Sequence, residues 1–226
     1  MTIQDRYRPR SLAEIVGQPS IYKLMLLAAK PRRSCWMLEG EPGTGKSETA
    51  RVFAEDLGCS LFSKHVFNAS RLKIEVAEKL FNETVRSIPM DGAPMHVVIL
   101  EELERCASNE VGVFLKTALD CNADADNGGM ARRLILIATS NDVTQIKKGN
   151  PALLERFSLI HFSSGPEFAL ACQERLAAIW EAERPGEDIP EGWLLWGWDD
   201  GFTRFSMRMA LRELADCIEA MELVAA

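Results

Sequence analysis

The sequence lacks the residue spacings that build metal knuckles, redox pairs or membrane spans. Its six cysteines (35, 59, 106, 121, 172 and 217) are never closer than 15 positions, so CxxC spacing is absent. The three histidines (65, 96 and 161) are scattered singly and read as structural. No apolar run reaches the roughly 18 residues that a membrane span needs. The opening residues, MTIQDRYRPR, lack the apolar stretch of a secretory leader. A cationic excess is missing too: Lys plus Arg is 26, Asp plus Glu is 33, and the net charge is −7. That excludes a polycation coating nucleic acid everywhere but leaves room for a local basic track. With 226 residues, 47% of them apolar, the chain can bury a core without staples. Its cysteines then read as reduced, small apolar side chains in a soluble, cytoplasmic protein with no membrane partner.

What is present is organised unevenly. Residues 1–33 carry seven bases against Asp5 and Glu14, whereas residues 165–226 carry 13 acids against five bases. The breaker cluster Ser163-Ser164-Gly165-Pro166 marks a boundary, dividing a domain over 1–163 from one over 164–226. Upstream, apolar runs alternate with helical stretches. Strands are expected at Ser34–Glu39, Leu61–Asn68, Met95–Leu100, Arg133–Ala138 and Leu159–Phe162. Helices are expected near Lys46–Leu57, Ile74–Ile88 and Asn109–Leu119. This alternation implies an α/β fold with a parallel sheet covered on both faces. Asp120–Gly129 (DCNADADNGG) reads as a solvated, acidic loop. Downstream the pattern is helical only, near Glu167–Glu183, Gly192–Gly201 and Ser206–Glu222, as in a small three-helix domain. Its Trp193, Trp196 and Trp198 admit two readings, core packing or a partner-docking patch.

The strongest chemical signal is Gly40-Glu41-Pro42-Gly43-Thr44-Gly45-Lys46-Ser47, which satisfies GxxxxGK[ST] between a strand and a helix. The glycines let backbone N–H groups converge on phosphate oxygens, and the helix N-terminus adds partial positive charge. Lys46 would reach the β and γ phosphates, and the Ser47 hydroxyl would ligate Mg²⁺. The loop contacts expected for ATP run from Glu41 to position 48, which is Glu48. A second element, Val97-Val98-Ile99-Leu100-Glu101-Glu102, ends a buried strand in two acids at the sheet edge. One acid, Glu101, would hold the metal through water, and Glu102 would polarise the attacking water. An acidic first turn of the next helix is the competing reading. Asn141, after the strand that ends at Ile137-Ala138-Thr139-Ser140, would hold water or the γ-phosphate, or simply cap a turn. Arg156 is either a surface base or a charge donor to a neighbouring subunit's nucleotide.

Taken in order, these elements resemble the AAA+ ATPases of the clamp-loader type, the replication factor C small subunits with their phage and archaeal relatives. Further residues carry the likeness. Arg6-Tyr7-Arg8-Pro9 with Ile15-Val16-Gly17-Gln18 resembles the family's adenine-contacting box. Asn68-Ala69-Ser70 and Gly92-Ala93-Pro94 match further family segments. Arg156-Phe157 falls at the finger motif, and Ser206-Met207-Arg208-Met209-Ala210-Leu211 resembles the lid helix bearing a sensor arginine. The resemblance implies a P-loop core followed by an all-helical lid, with ATP and Mg²⁺ as cofactors. It makes Lys46, Ser47, Glu102, Asn141 and Arg208 the cis site, Arg156 a finger in trans, and Tyr7, Arg8, Val16 and Gly17 the adenine contacts. It also implies other AAA+ subunits, alike or different, in a pentamer-like or hexamer-like ring, primed or duplex DNA held without sequence preference, and a sliding clamp or other protein as partner. Arg71, Lys73, Arg105 and Lys116 are the DNA-contact candidates, against a plain solvated face.

Three departures stand out. Glu101 replaces the family's usual Asp, and Glu155 precedes the finger and would pair with it when no neighbour is present. The sequence also stops after the expected lid where the family continues into a collar, so either it is a truncation or assembly rests on AAA+ interfaces and other partners. Two other functions therefore stay open: another AAA+ remodeller, such as a helicase loader or branch-migration motor, and an ATP-binding switch or scaffold that barely hydrolyses.

Overall fold

The computed structural model describes residues 2–29, 34–123 and 134–225. Five strands form one sheet: β1 (Ser34–Gly40), β2 (Lys64–Asn68), β3 (His96–Glu101), β4 (Leu134–Ser140) and β5 (Ser158–Phe162). Every pairing is parallel and the order is β2-β3-β4-β1-β5. Two short helices, α1 (Ile3–Arg6) and α2 (Ile21–Ala29), precede β1. Then come α3 (Lys46–Asp56), α4 (Ile74–Asn82), α5 (Glu110–Ala123), α6 (Val143–Gly149), α7 (Pro151–Leu154), α8 (Pro166–Glu183) and α9 (Met207–Ala225).

The pleat explains why β3 and β4 are nearly continuous apolar runs. Val98, Leu100, Leu136 and Ala138 face one core, with Leu80 and Phe81 of α4 and Leu115 of α5. Their neighbours Val97, Ile99, Ile135 and Ile137 face the other, with Val52 and Phe53 of α3. Both faces are covered, so no polar alternation survives in the sequence. The register pairs Leu38 with Thr139, Glu39 with Ser140 and Asn68 with Glu101. The chain therefore leaves β1, β3 and β4 along the same edge, where the phosphate loop, Glu102 and Asn141 follow.

A third core joins α8 to α9. Phe168, Cys172, Leu176 and Ile179 meet Ala210, Leu214 and Ile218 at helical spacing, with Ile3, Tyr7 and Val16 packed against them. The N-terminal segment thus lies on this helical unit.

Three expected elements differ. β2 starts at Lys64, not Leu61, because Ser60 and Ser63 are drawn into a turn. Both hydroxyls donate to Asp91 Oδ2, at 2.6 and 2.5 Å, leaving Leu61 and Phe62 exposed. α4 stops at Asn82 and a single 3₁₀ turn follows at Thr84–Arg86. Gly192–Gly201 is not a helix: a 3₁₀ turn over Trp193–Leu195 gives way to an antiparallel bridge between Trp198 and Phe205. Gly197 stands at φ +81°, and a Cβ there would sit 2.8 Å from both Ala210 Cβ and the Ser206 carbonyl. Chain reversal and close approach exclude the helix. The three tryptophans pack against the third core, as the core reading expected. From residue 124 the acidic loop lies outside the described residues, as does Arg133. His65 and His96 stack, with Nε2 and Nδ1 3.1 Å apart, and His96 Nε2 is 3.0 Å from the Ser87 carbonyl. Among the described residues, no helix is long and apolar enough to cross a membrane.

Trp180 tests the third core. It is 1% exposed and its Nε1–H donates to the Glu187 carbonyl at 2.8 Å. Trp180→Ala is expected to cost about 3–5 kcal/mol of stability in urea denaturation monitored by circular dichroism.

Candidate active site

β1 ends at Gly40 and α3 begins at Lys46, so the phosphate loop is the turn between a buried strand and a helix N-terminus. Gly43 (φ +83°) and the N-cap Gly45 (φ +93°) take the left-handed backbone that this turn requires. The loop also meets α9. Met207 N–H donates to the Gly43 carbonyl at 3.1 Å, and a Cβ on Gly43 would lie 1.9 Å from Ser206 Oγ.

Lys46 folds back over the loop, its Nζ donating to the carbonyls of Gly40 at 2.6 Å and Glu41 at 2.7 Å. Burial pushes its ammonium down to about 8, against the attraction of Glu104 and Glu41, and Arg208 pushes the same way as burial. The Glu41 carboxylate turns to the helical unit and pairs with Arg204 at 3.2 Å.

One cavity of about 520 Å³ gathers most of the expected site. Pro42 to Glu48 form one wall; Tyr7, Arg8 and Val16 form another; Glu102, Asn141 and Arg208 complete it. Glu102 adopts φ +59°, ψ +50°, a left-handed conformation that costs a side-chain-bearing residue roughly 1–3 kcal/mol. Its N–H donates to Thr139 Oγ1 at 3.3 Å, tying the end of β3 to β4. Asn141 is held through its own N–H, which donates to Glu104 Oε1 at 3.3 Å.

Four expected residues are off the wall. Gly17 packs against Phe168, and Glu41 pairs as above. Glu101 accepts from Arg51 Nη2 at 3.1 Å and is not among the residues that line the cavity. Arg156 follows α7 and donates from Nη1 to the Ala152 carbonyl, away from the cavity. Arg71, Lys73 and Arg105 are exposed and Lys116 is half-buried.

Other residues of the site carried no motif signal. Gln18, though part of the quoted N-terminal box, is a buried clasp: its Nε2 donates to the carbonyls of Ser163 at 2.9 Å and Thr44 at 3.3 Å, and its Oε1 accepts from Ser163 N–H at 2.9 Å. Cys172 and Arg175 reach the wall from α8; their spacing of four and seven from Phe168 was the available cue. Burial pushes the Cys172 thiol up to about 12. Glu104 lies beside Asn141 and influences Lys46. Tyr7 donates its hydroxyl to Glu183 Oε1 at 2.6 Å, and Arg6 Nη1 joins the same carboxylate at 2.5 Å.

The donor set suits magnesium-bound ATP. The Lys46 ammonium, Arg208 and the backbone of the glycine loop face phosphate charge; Val16, Phe168 and Leu211 offer apolar surface to a base; the Ser47 hydroxyl is available to a metal. Lys46 then couples binding to pH. A phosphate favours the charged amine, so binding takes up a proton above pH 8. Affinity for ATP is expected to hold below about pH 8 and to fall by up to tenfold per pH unit above it. Isothermal titration in buffers of different ionisation enthalpy checks both the slope and the proton count, and a flat profile from pH 7 to 9.5 would contradict it.

Comparison with known proteins agrees with this geometry. Residues 36–164 match the family model described as ATPase family associated with various cellular activities (AAA). The replication factor C small subunit of Archaeoglobus fulgidus is 31% identical over 117 residues, covering 50% of this chain and 37% of that protein. Replication factor C small subunit 2 of Pyrobaculum aerophilum is 28% identical over 214 residues, covering 93% of this chain and 61% of that protein. The chain thus spans less than two thirds of these relatives. Among solved structures, a RuvB mutant of Thermotoga maritima superposes with TM-score 0.69 at 19% identity, covering 98% of this chain and 68% of that one. Domain III of the Thermotoga maritima replication initiation protein DnaA gives TM-score 0.67 at 12% identity, covering 96% and 90%. The family model covers more than half of the sequence, and on that ground the chain belongs to the AAA family of ATPases.

Proposed function

We propose that the protein binds ATP with Mg²⁺ in this cavity and hydrolyses it at subunit interfaces of a cytoplasmic, clamp-loader-like oligomer acting on DNA. The observation that carries the reading is a division of labour. Tyr7, Arg8, Lys46, Glu102, Asn141 and Arg208 share one cavity, whereas Arg156 stands apart from it, as a residue acting on a neighbour's nucleotide must. The replication factor C relatives support the clamp-loader assignment. In this reading residues 1–163 are the nucleotide-binding domain and residues 164–226 the lid.

Glu102 is the base that orients and deprotonates water for attack on the γ-phosphorus, its carboxylate placed by the left-handed backbone. Lys46 neutralises the β and γ oxygens, Arg208 adds charge from the lid, and Asn141 positions water or phosphate. When bound, Mg²⁺ supplies further charge neutralisation, with the Ser47 hydroxyl as the wall residue that would hold it. Arg156 of an adjacent subunit completes the charge complement. Hydrolysis then loosens the interface that ATP had ordered.

Steady-state hydrolysis, measured across protein concentrations with and without primed DNA, tests this. The rate per subunit is expected to climb with concentration, rise with DNA and collapse in Arg156→Ala. Glu102→Gln is expected to keep ATP binding and to lose about 10²–10⁴-fold in turnover. Tight ATP binding with a negligible rate under every condition would favour a switch or scaffold instead. Stimulation by branched but not primed DNA would favour a branch-migration motor.

A further inference from the structure

The glutamate at position 101 has a partner that explains its length. Glu101 ends β3, its side chain 19% exposed, and its Oε1 accepts from Arg51 Nη2 at 3.1 Å. Arg51 belongs to α3, the helix that the phosphate loop opens. Its Nη1 lies 3.6 Å from Glu48 Oε1. Glu48 in turn receives Arg8 Nε and Nη2, each at 2.5 Å. Four charges therefore alternate in sign, beginning with Arg8 and Glu48 on the cavity wall and ending at Glu101, which is off it.

We infer that Arg51 withholds Glu101 from the metal and so weakens the site's affinity for magnesium during nucleotide binding. The inference rests on reading the cavity as a magnesium–ATP site. A guanidinium stays charged at every working pH and offers a rigid fork to a carboxylate. A divalent cation approaching the same carboxylate is repelled by it. An aspartate would carry its carboxylate one bond, about 1.5 Å, less far from the strand. With Glu101 engaged, the ion is left with the Ser47 hydroxyl, water and phosphate oxygens, and lacks the protein carboxylate that such sites ordinarily add. Arg51 is thus a positioning residue, acting through Glu101 and touching neither nucleotide nor ion.

The test titrates Mg²⁺ into the full chain with a fluorescent ATP analogue carrying a methylanthraniloyl group. The Mg²⁺ concentration at half-maximal binding is read for wild type, Arg51→Met, Glu101→Gln and the double variant, with thermal melts confirming folding. Arg51→Met is expected to lower that concentration about tenfold, the scale of outer-shell changes at metal sites, whereas Glu101→Gln moves it by less than about twofold. In the double variant the gain disappears, because the carboxylate that Arg51→Met releases is gone. Should Arg51→Met not fold, Arg51→Lys is read instead, with a smaller gain in the same direction. A tenfold rise in Glu101→Gln, or no gain in the arginine variant, would overturn the inference. Failure of the analogue to bind wild type, or unchanged binding in Lys46→Ala, would remove the nucleotide-site reading itself, so the two failures are distinguishable.

Discussion

The site depends on a contact in which backbone meets backbone: the Met207 N–H of α9 donating to the Gly43 carbonyl of the phosphate loop. It forms only because residue 43 has no side chain, since Ser206 Oγ fills the place where a Cβ would stand. This hydrogen bond seats the first turn of α9 over the loop, one residue before Arg208. It also brings α9 to the cavity, whose other walls come from a sheet edge, the N-terminal segment and α8, parts far apart in sequence.

The electrostatics within that enclosure are strained in a directed way. Lys46 is buried, and burial lowers its affinity for a proton. Arg208 adds to the same effect. A triphosphate would offset both, since its negative charge favours the protonated amine of buried Lys46 beside the exposed Arg208. Glu102 carries strain of a different kind, in its backbone, and the conformation is sustained by the hydrogen bond to Thr139 and the packing of β3 between β2 and β4. The rigid sheet thus maintains a geometry that the local residue alone would not choose.

The phosphate loop was legible in the sequence because its glycine spacing is dictated by backbone geometry, whatever the surroundings. β3 and β4 were legible because strands covered on both faces need apolar residues at every position. Other features left no such trace. The pairing of Arg8 with Glu48 joins residues 40 positions apart, and ion pairs at that distance impose no periodicity. Leu61 and Phe62 look like strand residues, yet a carboxylate at Asp91 gathers the adjacent serines into a turn. The tryptophan-rich segment after Gly192 has helical composition, but Gly197 needs a positive φ and a place against Ala210. The acid pair was expected at the sheet edge, and β3 ends at Glu101 with Glu102 directly after it. Glu102 lines the cavity, whereas Glu101 pairs with Arg51, four residues beyond the loop's final serine.

Gln18 has a mechanical consequence. Its single amide grips Thr44 in the phosphate loop and both backbone groups of Ser163 at the seam before α8. Three segments that a diagram would draw as separate parts are thereby pinned at one buried point. The amide thereby ties the chain before α2 to the phosphate loop and to the residues before α8 at once, a link that runs outside the sheet.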